Sequence, residues 1–129
     1  THVIAALDTA LDQLEAEGGV AARGARYETN RRVLIEGMRG LGFQTLLPDA
    51  LQAPTIVTFL TPGDGRFHFE DFYAALAERG YLIYPGKLTK ADSFRIGCMG
   101  ALGEAEMQGV VAAVAEAIKE MGVTRTAPR

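Results

Sequence analysis

The chain has 129 residues, of which 48% are hydrophobic and 22% charged, and its formal net charge at pH 7 is −3. This length predicts one domain with an ordinary buried core, and the composition excludes an intrinsically disordered chain. The negative charge argues against nonspecific binding to nucleic acid, because that binding depends on neutralising phosphates with a surplus of Lys and Arg.

Two amphipathic helices are predicted at the start of the chain. Val3, Leu7 and Leu11 recur at helical spacing, and Gly18-Gly19 ends this first helix. A second helix is predicted over residues 20–40, with apolar side chains on one face. Glutamates lie between its arginines, which is typical of a solvated helix face: Arg23, Arg26, Arg31 and Arg32.

A sheet with further helices is predicted for the rest of the chain. The run 55–60 is strongly β-forming, and a weaker strand is predicted near residues 43–46. A helix through Phe72 and Leu76 ends at Gly80, which fits the left-handed position after a helix. Two strands and a last helix complete the set: 81–84, 93–99 and 107–121. Since helices with one apolar stripe must cover a sheet face, we expect a two-layer α+β domain.

Several classes of protein and site are disfavoured by the residues present. Cys98 is the only cysteine, so no internal disulfide can form. We expect Cys98 to be a small residue of the core. No run reaches the roughly 18–20 apolar residues that span a bilayer, and no signal peptide is visible, which predicts a soluble, cytoplasmic protein. His2 and His68 have no carboxylate or cysteine at metal-ligand spacing.

The two ends of the chain carry separate expectations. Residue 1 is Thr rather than Met, and a helix is predicted to begin at once, so we expect the chain to be a piece of a longer polypeptide. Residues 124–129 show no hydrophobic periodicity, and we expect this tail to be poorly ordered.

Arg95 stands within a hydrophobic strand. By the period-two rule Phe94 and Ile96 share one strand face, while Arg95 and Gly97 share the other. If the apolar set faces the helices, Arg95 projects from the uncovered face, where an ordinary exposed arginine would also fit. Gly97 leaves room for a ligand, and a guanidinium can hold a carboxylate or a phosphonate with two parallel hydrogen bonds. The strand therefore predicts a candidate anion site at Arg95.

Lys87 lies in the turn Tyr84-Pro85-Gly86-Lys87 before this strand. It is either an ordinary surface lysine or a second positive charge near Arg95. No phosphate-cradling glycine loop, nucleophile elbow or defensible pair of carboxylates is present. The residues alone therefore indicate anion binding and no catalytic machinery.

Six stretches of the sequence together resemble the small domain of class V aminotransferases, which depend on pyridoxal phosphate (PLP). The stretches are Glu15-Ala16-Glu17-Gly18-Gly19-Val20-Ala21-Ala22-Arg23, Tyr27, Asn30-Arg31, Gly37-Met38-Arg39-Gly40-Leu41-Gly42-Phe43, Tyr84-Pro85-Gly86-Lys87 and Phe94-Arg95-Ile96-Gly97. The resemblance covers residues 1–123 and is closest to the members that use a phosphonate as amino donor. It implies a C-terminal small domain of a fold-type I enzyme, with a mostly antiparallel sheet covered by helices on one face.

The resemblance also implies what the whole protein does. Such an enzyme moves the amino group of 2-aminoethylphosphonate to pyruvate and works as a homodimer. In the family, the arginine at the position of Arg95 binds the acidic group of the substrate, with Lys87 and Gly97 as possible contributors. The Schiff-base lysine and the PLP site lie in the large domain, so this chain alone is expected to hold no catalytic residue and to be inactive.

Two other functions remain open from the sequence. One is a different class V aminotransferase, of the alanine–glyoxylate or serine–pyruvate type. The other is a stand-alone α+β module that binds a small ligand through Arg95.

Overall fold

The computed structural model describes residues 1–86 and 91–129, so Lys87 and the prediction attached to it lie outside the described residues. Within these ranges the chain forms four α-helices, one 3₁₀ turn at Asp49–Leu51 and three strands. The helices are α1 (His2–Ala16), α2 (Gly19–Gly40), α3 (Phe69–Glu78) and α4 (Glu104–Glu120). The strands are β1 (Ile56–Leu60), β2 (Tyr84–Pro85) and β3 (Ser93–Gly97). None of the helices in the described ranges is long and apolar enough to cross a membrane.

The three strands form one antiparallel sheet with β3 in the centre, in the order β1-β3-β2. Side chains on β1 and β3 alternate between buried and half-buried, so the sheet has one covered face and one open face. Helices α2, α3 and α4 supply most of the residues that pack on the covered face. This arrangement confirms the predicted two-layer α+β fold.

Phe94 of β3 is the centre of the core. Its side chain is fully buried, and four rings surround it with centroids 5.3–6.3 Å away. These rings come from four different parts of the chain: Phe43, Phe59, Phe67 and Phe72. Aromatic pairs at such distances contribute about 0.5–1.5 kcal/mol each beyond the area that they bury. The cluster therefore joins α3 and the connecting loops to the centre of the sheet.

Two predicted strands are shorter than expected. Near residues 43–46 only an isolated bridge forms, between Thr45 and Phe59 of β1. Of the predicted strand 81–84 only Tyr84 enters the sheet, because the Tyr81 amide is bonded to the end of α3 instead. The Tyr81 amide donates to the Leu76 carbonyl, and Gly80 adopts φ +85°, which confirms Gly80 as the left-handed residue that ends this helix.

Helix α1 contributes no buried residue to the domain. Its main packing contact is α2, and an apolar stripe along it is open to solvent. Four side chains form this stripe, exposed by 50–82%: Val3, Ile4, Leu7 and Leu11. Helix α1 is therefore amphipathic, as predicted, but its apolar side does not face the core of this chain.

The tail 124–129 lies against the loop that contains Asp64. The Thr124 amide and hydroxyl and the Arg125 amide all donate to Asp64 Oδ2, and the Gly63 amide donates to the Ala127 carbonyl over 2.8 Å. The Arg66 guanidinium and these backbone donors hold the pKa of Asp64 far below its usual range. The poor order expected for the tail stays a prediction, and these contacts are what would restrain it.

Gly37 of α2 lies directly against Val111 of α4, so its replacement tests the contact between these two helices. A Cβ atom at residue 37 would be 2.7–3.3 Å from the Val111 side chain, whose branched Cβ limits its movement. We expect Gly37→Ala to lower the free energy of unfolding by about 1–3 kcal/mol, as in an overpacked core.

The matched control is Gly24→Ala in the same helix, where nothing lies within 4 Å of the added carbon. It should raise stability by up to about 1 kcal/mol through helix propensity. Urea denaturation of the two variants measures both effects, and equal shifts would contradict the close contact.

Asp64→Asn tests whether Asp64 restrains the tail. The neutral amide accepts the tail's hydrogen bonds more weakly, so the Thr124 and Arg125 amides should exchange hydrogen faster at pH 7. A carboxylate with a lowered pKa stabilises the folded state above its unfolded pKa of about 3.9, and this contribution is lost as the pH falls. The difference in thermal stability between the unmodified protein and Asp64→Asn should therefore become smaller below about pH 4. Asp12→Asn on exposed α1 is the control, and exchange rates that match it would refute the restraint.

Candidate functional site

Arg95 lies in the middle of the central strand, on the open face of the sheet. Its strand neighbours Phe94 and Ile96 are buried, while Arg95 is half-buried, so the predicted alternation is confirmed. In the register of the sheet Arg95 lies between Thr58 of β1 and Tyr84 of β2. Directly paired residues share a face, so these two side chains flank the guanidinium.

Within residues 1–86 and 91–129 the Arg95 guanidinium has one hydrogen bond. Its Nε donates to the Pro85 carbonyl over 3.1 Å. No carboxylate in residues 1–86 and 91–129 forms an ion pair with it. Among the described residues Arg95 is therefore a positive group without a negative partner, on an open surface.

Gly97 follows Arg95 on the same face. A Cβ atom built on Gly97 would have only the Thr55 carbonyl near it, at 4.0 Å. Packing within this chain therefore does not require glycine at residue 97, and the space in front of it is open. A separate apolar cavity of about 540 Å³ borders Gly97 at the edge of the sheet, between β3, residues 80–84 and α4, and Arg95 does not line it. This geometry fits the proposed role of Gly97 in leaving room, which stays a prediction.

Asn30 of α2 holds the loop that follows β3. It is fully buried, and its Nδ2 donates to the Cys98 carbonyl over 3.1 Å and to the Leu102 carbonyl over 2.9 Å. Without Asn30 the Cys98 carbonyl, at the end of the strand that carries Arg95, would lose the donor that it has among the described residues, and the Leu102 carbonyl would lose one of its two donors. Sequence reasoning assigned Asn30 no role beyond the family resemblance, because the residues that it contacts are 68 and 72 positions away.

Arg26 reinforces the same loop. Its Nη1 donates to the Gly100 and Leu102 carbonyls over 2.7 Å each, and its Nε pairs with Glu17 over 2.6 Å. Hydrogen bonds from Arg26 and then Arg23 lower the pKa of Glu17 to about 2. The prediction of a solvated helix face fits the exposed Arg32 but is wrong for Arg26, because α2 lies close enough for it to reach the loop backbone.

The described residues contain neither a reactive thiol nor a metal site. Cys98 is buried at the end of β3, and burial raises the pKa of its thiol to about 11, so it stays protonated. No group of three or more His, Cys, Asp or Glu in these residues could hold a metal ion. The predicted core role of Cys98 is confirmed.

The described residues do not fit the PLP cofactor that the family resemblance implies. Such a site needs a lysine that bonds to the cofactor, and the one lysine in residues 1–86 and 91–129 is Lys119. Lys119 is exposed in the last turn of α4, in the helix layer, whereas Arg95 lies on the opposite, open face of the sheet. No step of catalysis can therefore be assigned to this part of the chain.

Comparison with known proteins gives a consistent result. No model of a protein family matches the chain. Over 128 residues it is 54% identical to a 2-aminoethylphosphonate–pyruvate transaminase of Cupriavidus necator, covering 99% of the chain and 34% of that relative. Over 125 residues it is also 54% identical to a 2-aminoethylphosphonate–pyruvate transaminase of Burkholderia lata, covering 33% of it. The chain thus spans about a third of the length of the curated relatives that it matches.

Among solved structures, the chain is similar to a ureidoglycine–glyoxylate aminotransferase from Bacillus subtilis. The match has a TM-score of 0.75 at 22% identity and covers 88% of this chain and 30% of that one. At this identity the likeness concerns the fold. It confirms the predicted α+β fold.

Asn30→Asp tests how the loop after β3 is held. The variant has the same shape, but at neutral pH it presents an oxygen instead of a donor to the Cys98 and Leu102 carbonyls. We expect the free energy of unfolding to fall by about 2–4 kcal/mol at pH 7, since a carboxylate is then buried beside two carbonyl oxygens and the Cys98 carbonyl loses its donor, while Leu102 keeps the one from Arg26. Burial raises the pKa of the new carboxyl group, so the loss should shrink as the pH falls. Denaturant titrations at pH 5 and pH 7 measure both effects, and stability equal to that of the unmodified chain would contradict this role of Asn30.

Proposed function

We propose that this chain is the substrate-binding small domain of a 2-aminoethylphosphonate–pyruvate transaminase, since nearly all of it is similar to about one third of the length of such enzymes. The observation that carries the proposal is Arg95, a guanidinium with no anionic partner among the described residues, on the open face of the sheet. Residues 1–123 form this domain, and residues 124–129 are its tail.

Arg95 fits both substrates of the reaction. A guanidinium binds a planar carboxylate through two parallel hydrogen bonds, and it binds two of the three phosphonate oxygens in the same way. One arginine can therefore hold 2-aminoethylphosphonate in one half of the reaction and pyruvate in the other. Thr58 and Tyr84 flank it in the sheet and limit sideways movement of the bound group.

The contribution of this chain to catalysis is then orientation. When bound, PLP supplies the electron sink for the transfer of the amino group. Arg95 fixes the acidic end of the substrate, and this sets the position of the reacting carbon near it. Orientation of this kind can change a rate by orders of magnitude. We place the cofactor site in the part of the protein outside this chain, as the family resemblance implies.

The exposed stripe on α1 supports a larger assembly. Val3, Ile4, Leu7 and Leu11 form an apolar surface that this chain leaves uncovered. We propose that the rest of the same protein covers it, and that the whole protein is a cytoplasmic homodimer that binds neither nucleic acid nor membrane. The net charge of −3 fits the absence of nucleic-acid binding.

Arg95→Ala in the full-length protein tests the proposed function. With 2-aminoethylphosphonate and pyruvate as substrates, we expect KM to rise and kcat to fall, so that kcat/KM drops by roughly 100-fold or more, while the absorbance of bound PLP stays unchanged. Steady-state kinetics and an absorption spectrum of the purified variant measure the two effects.

Arg32→Ala, on the solvent side of α2, is the matched control and should leave both constants unchanged. Unaltered kinetics of Arg95→Ala would refute the assignment of the substrate anchor. If the unmodified protein uses alanine and glyoxylate but not 2-aminoethylphosphonate, it belongs to another aminotransferase type. If it transfers no amino group at all, the result favours the alternative of a stand-alone module that binds a small ligand.

A further inference from the structure

The chain packs closely against β3 at Gly86, the residue that directly follows β2. The Gly86 amide donates to the Ser93 carbonyl over 2.7 Å, directly after the paired residues Pro85 and Phe94. A Cβ atom on Gly86 would overlap both the hydroxyl and the carbonyl oxygen of Ser93. Gly86 does not have a positive φ, so the lack of space, rather than the backbone conformation, requires glycine here.

This close approach places the Pro85 carbonyl against Arg95. In the β2–β3 register Tyr84 lies opposite Arg95, and the next carbonyl along β2 accepts the hydrogen bond from Arg95 Nε. Displacement of residue 86 away from Ser93 would move this carbonyl away from the guanidinium, since residues 85 and 86 share one peptide unit. Gly86 and Arg95 are therefore coupled through a single backbone group.

A bond at Nε determines which donors remain for a ligand. A guanidinium can hold two oxygens side-on, through Nε and one terminal nitrogen, or end-on, through the two terminal nitrogens. The Pro85 carbonyl occupies Nε, and no other described residue bonds the guanidinium, so the end-on pair is left for the substrate. The same bond limits rotation of a side chain that otherwise has several rotamers, so less freedom is lost when the anion binds.

We propose that Gly86 is a positioning residue for Arg95: it lets the turn lie against Ser93, keeps the Pro85 carbonyl on Nε and presents the two terminal nitrogens end-on to the acidic group of the substrate. This inference rests on the proposed function, because it assigns to Arg95 the role of substrate anchor. Beyond the proposed function, it specifies that Arg95 binds the anion end-on, and it assigns a role to Gly86, which the substrate does not touch.

Gly86→Ala in the full-length protein tests the coupling through KM and kcat. Without the Pro85 carbonyl in place the guanidinium is mobile, so KM for 2-aminoethylphosphonate and KM for pyruvate should both rise by roughly 10-fold. At saturation kcat should change less than KM, and bound PLP should be unaffected. A variant with only general loss of structure would instead lose active protein, with both KM values unchanged.

Gly65→Ala is the matched control, since nothing lies within 4 Å of the carbon that it adds, and its KM values should equal those of the unmodified protein. KM values for Gly86→Ala equal to those of Gly65→Ala would overturn the inference. If Arg95→Ala also leaves KM unchanged, the proposed function fails with it; if Arg95→Ala raises KM and Gly86→Ala does not, the positioning role alone fails.

A crystal structure of the unmodified full-length protein with ethylphosphonate, which has no amino group to transfer, tests the binding geometry even if Gly86→Ala does not fold. We expect the phosphonate oxygens on the two terminal nitrogens of Arg95, with Nε still bonded to the Pro85 carbonyl. A phosphonate bound to Nε, or an Arg95 that has left Pro85, would overturn the inference.

Discussion

The burial of Phe94 is the constraint on which the arrangement of this domain depends. Four rings from separate segments converge on it, and a residue so enclosed cannot turn outward without opening the core. Because neighbouring strand residues point to opposite faces, the position of Phe94 also determines that of Arg95. Burial of Phe94 in the aromatic core therefore has two effects: it stabilises the domain, and it directs the Arg95 side chain away from the core.

The strand that carries Arg95 is also held at both of its ends. At one end Asn30 and Arg26 of α2 bind the carbonyls of the following loop, and at the other end the Gly86 amide binds the Ser93 carbonyl. Such bonds add little stability individually, about 0.5–1.5 kcal/mol each. Their value lies in geometry, because they leave β3 little freedom to shift along its own axis. For a group that binds a ligand, a fixed position matters more than the additional stability that these bonds provide.

The sequence predicted those parts of the fold that follow from local patterns. Helices α2 and α4, strands β1 and β3 and the end of α3 at Gly80 each leave a periodic or conformational signature in neighbouring residues. The open-face position of Arg95 follows from period two alone. Three features could not be predicted: the contacts of Asn30 and Arg26, the short β2 and the bond between Arg95 and Pro85. Each depends on which distant segments meet and in which register. A single sequence also does not show whether an arginine faces solvent or binds the backbone carbonyls of a distant loop.

Helix α1 has a consequence for how this chain can vary through evolution. It supplies no buried residue, so substitutions along it scarcely affect packing within the domain. Selection on its apolar stripe must then come mainly from whatever surface lies against it. In a set of related sequences, the residues that change together with Val3, Leu7 and Leu11 would accordingly map that neighbouring surface, while the residues that change together with Phe94 would stay within the domain.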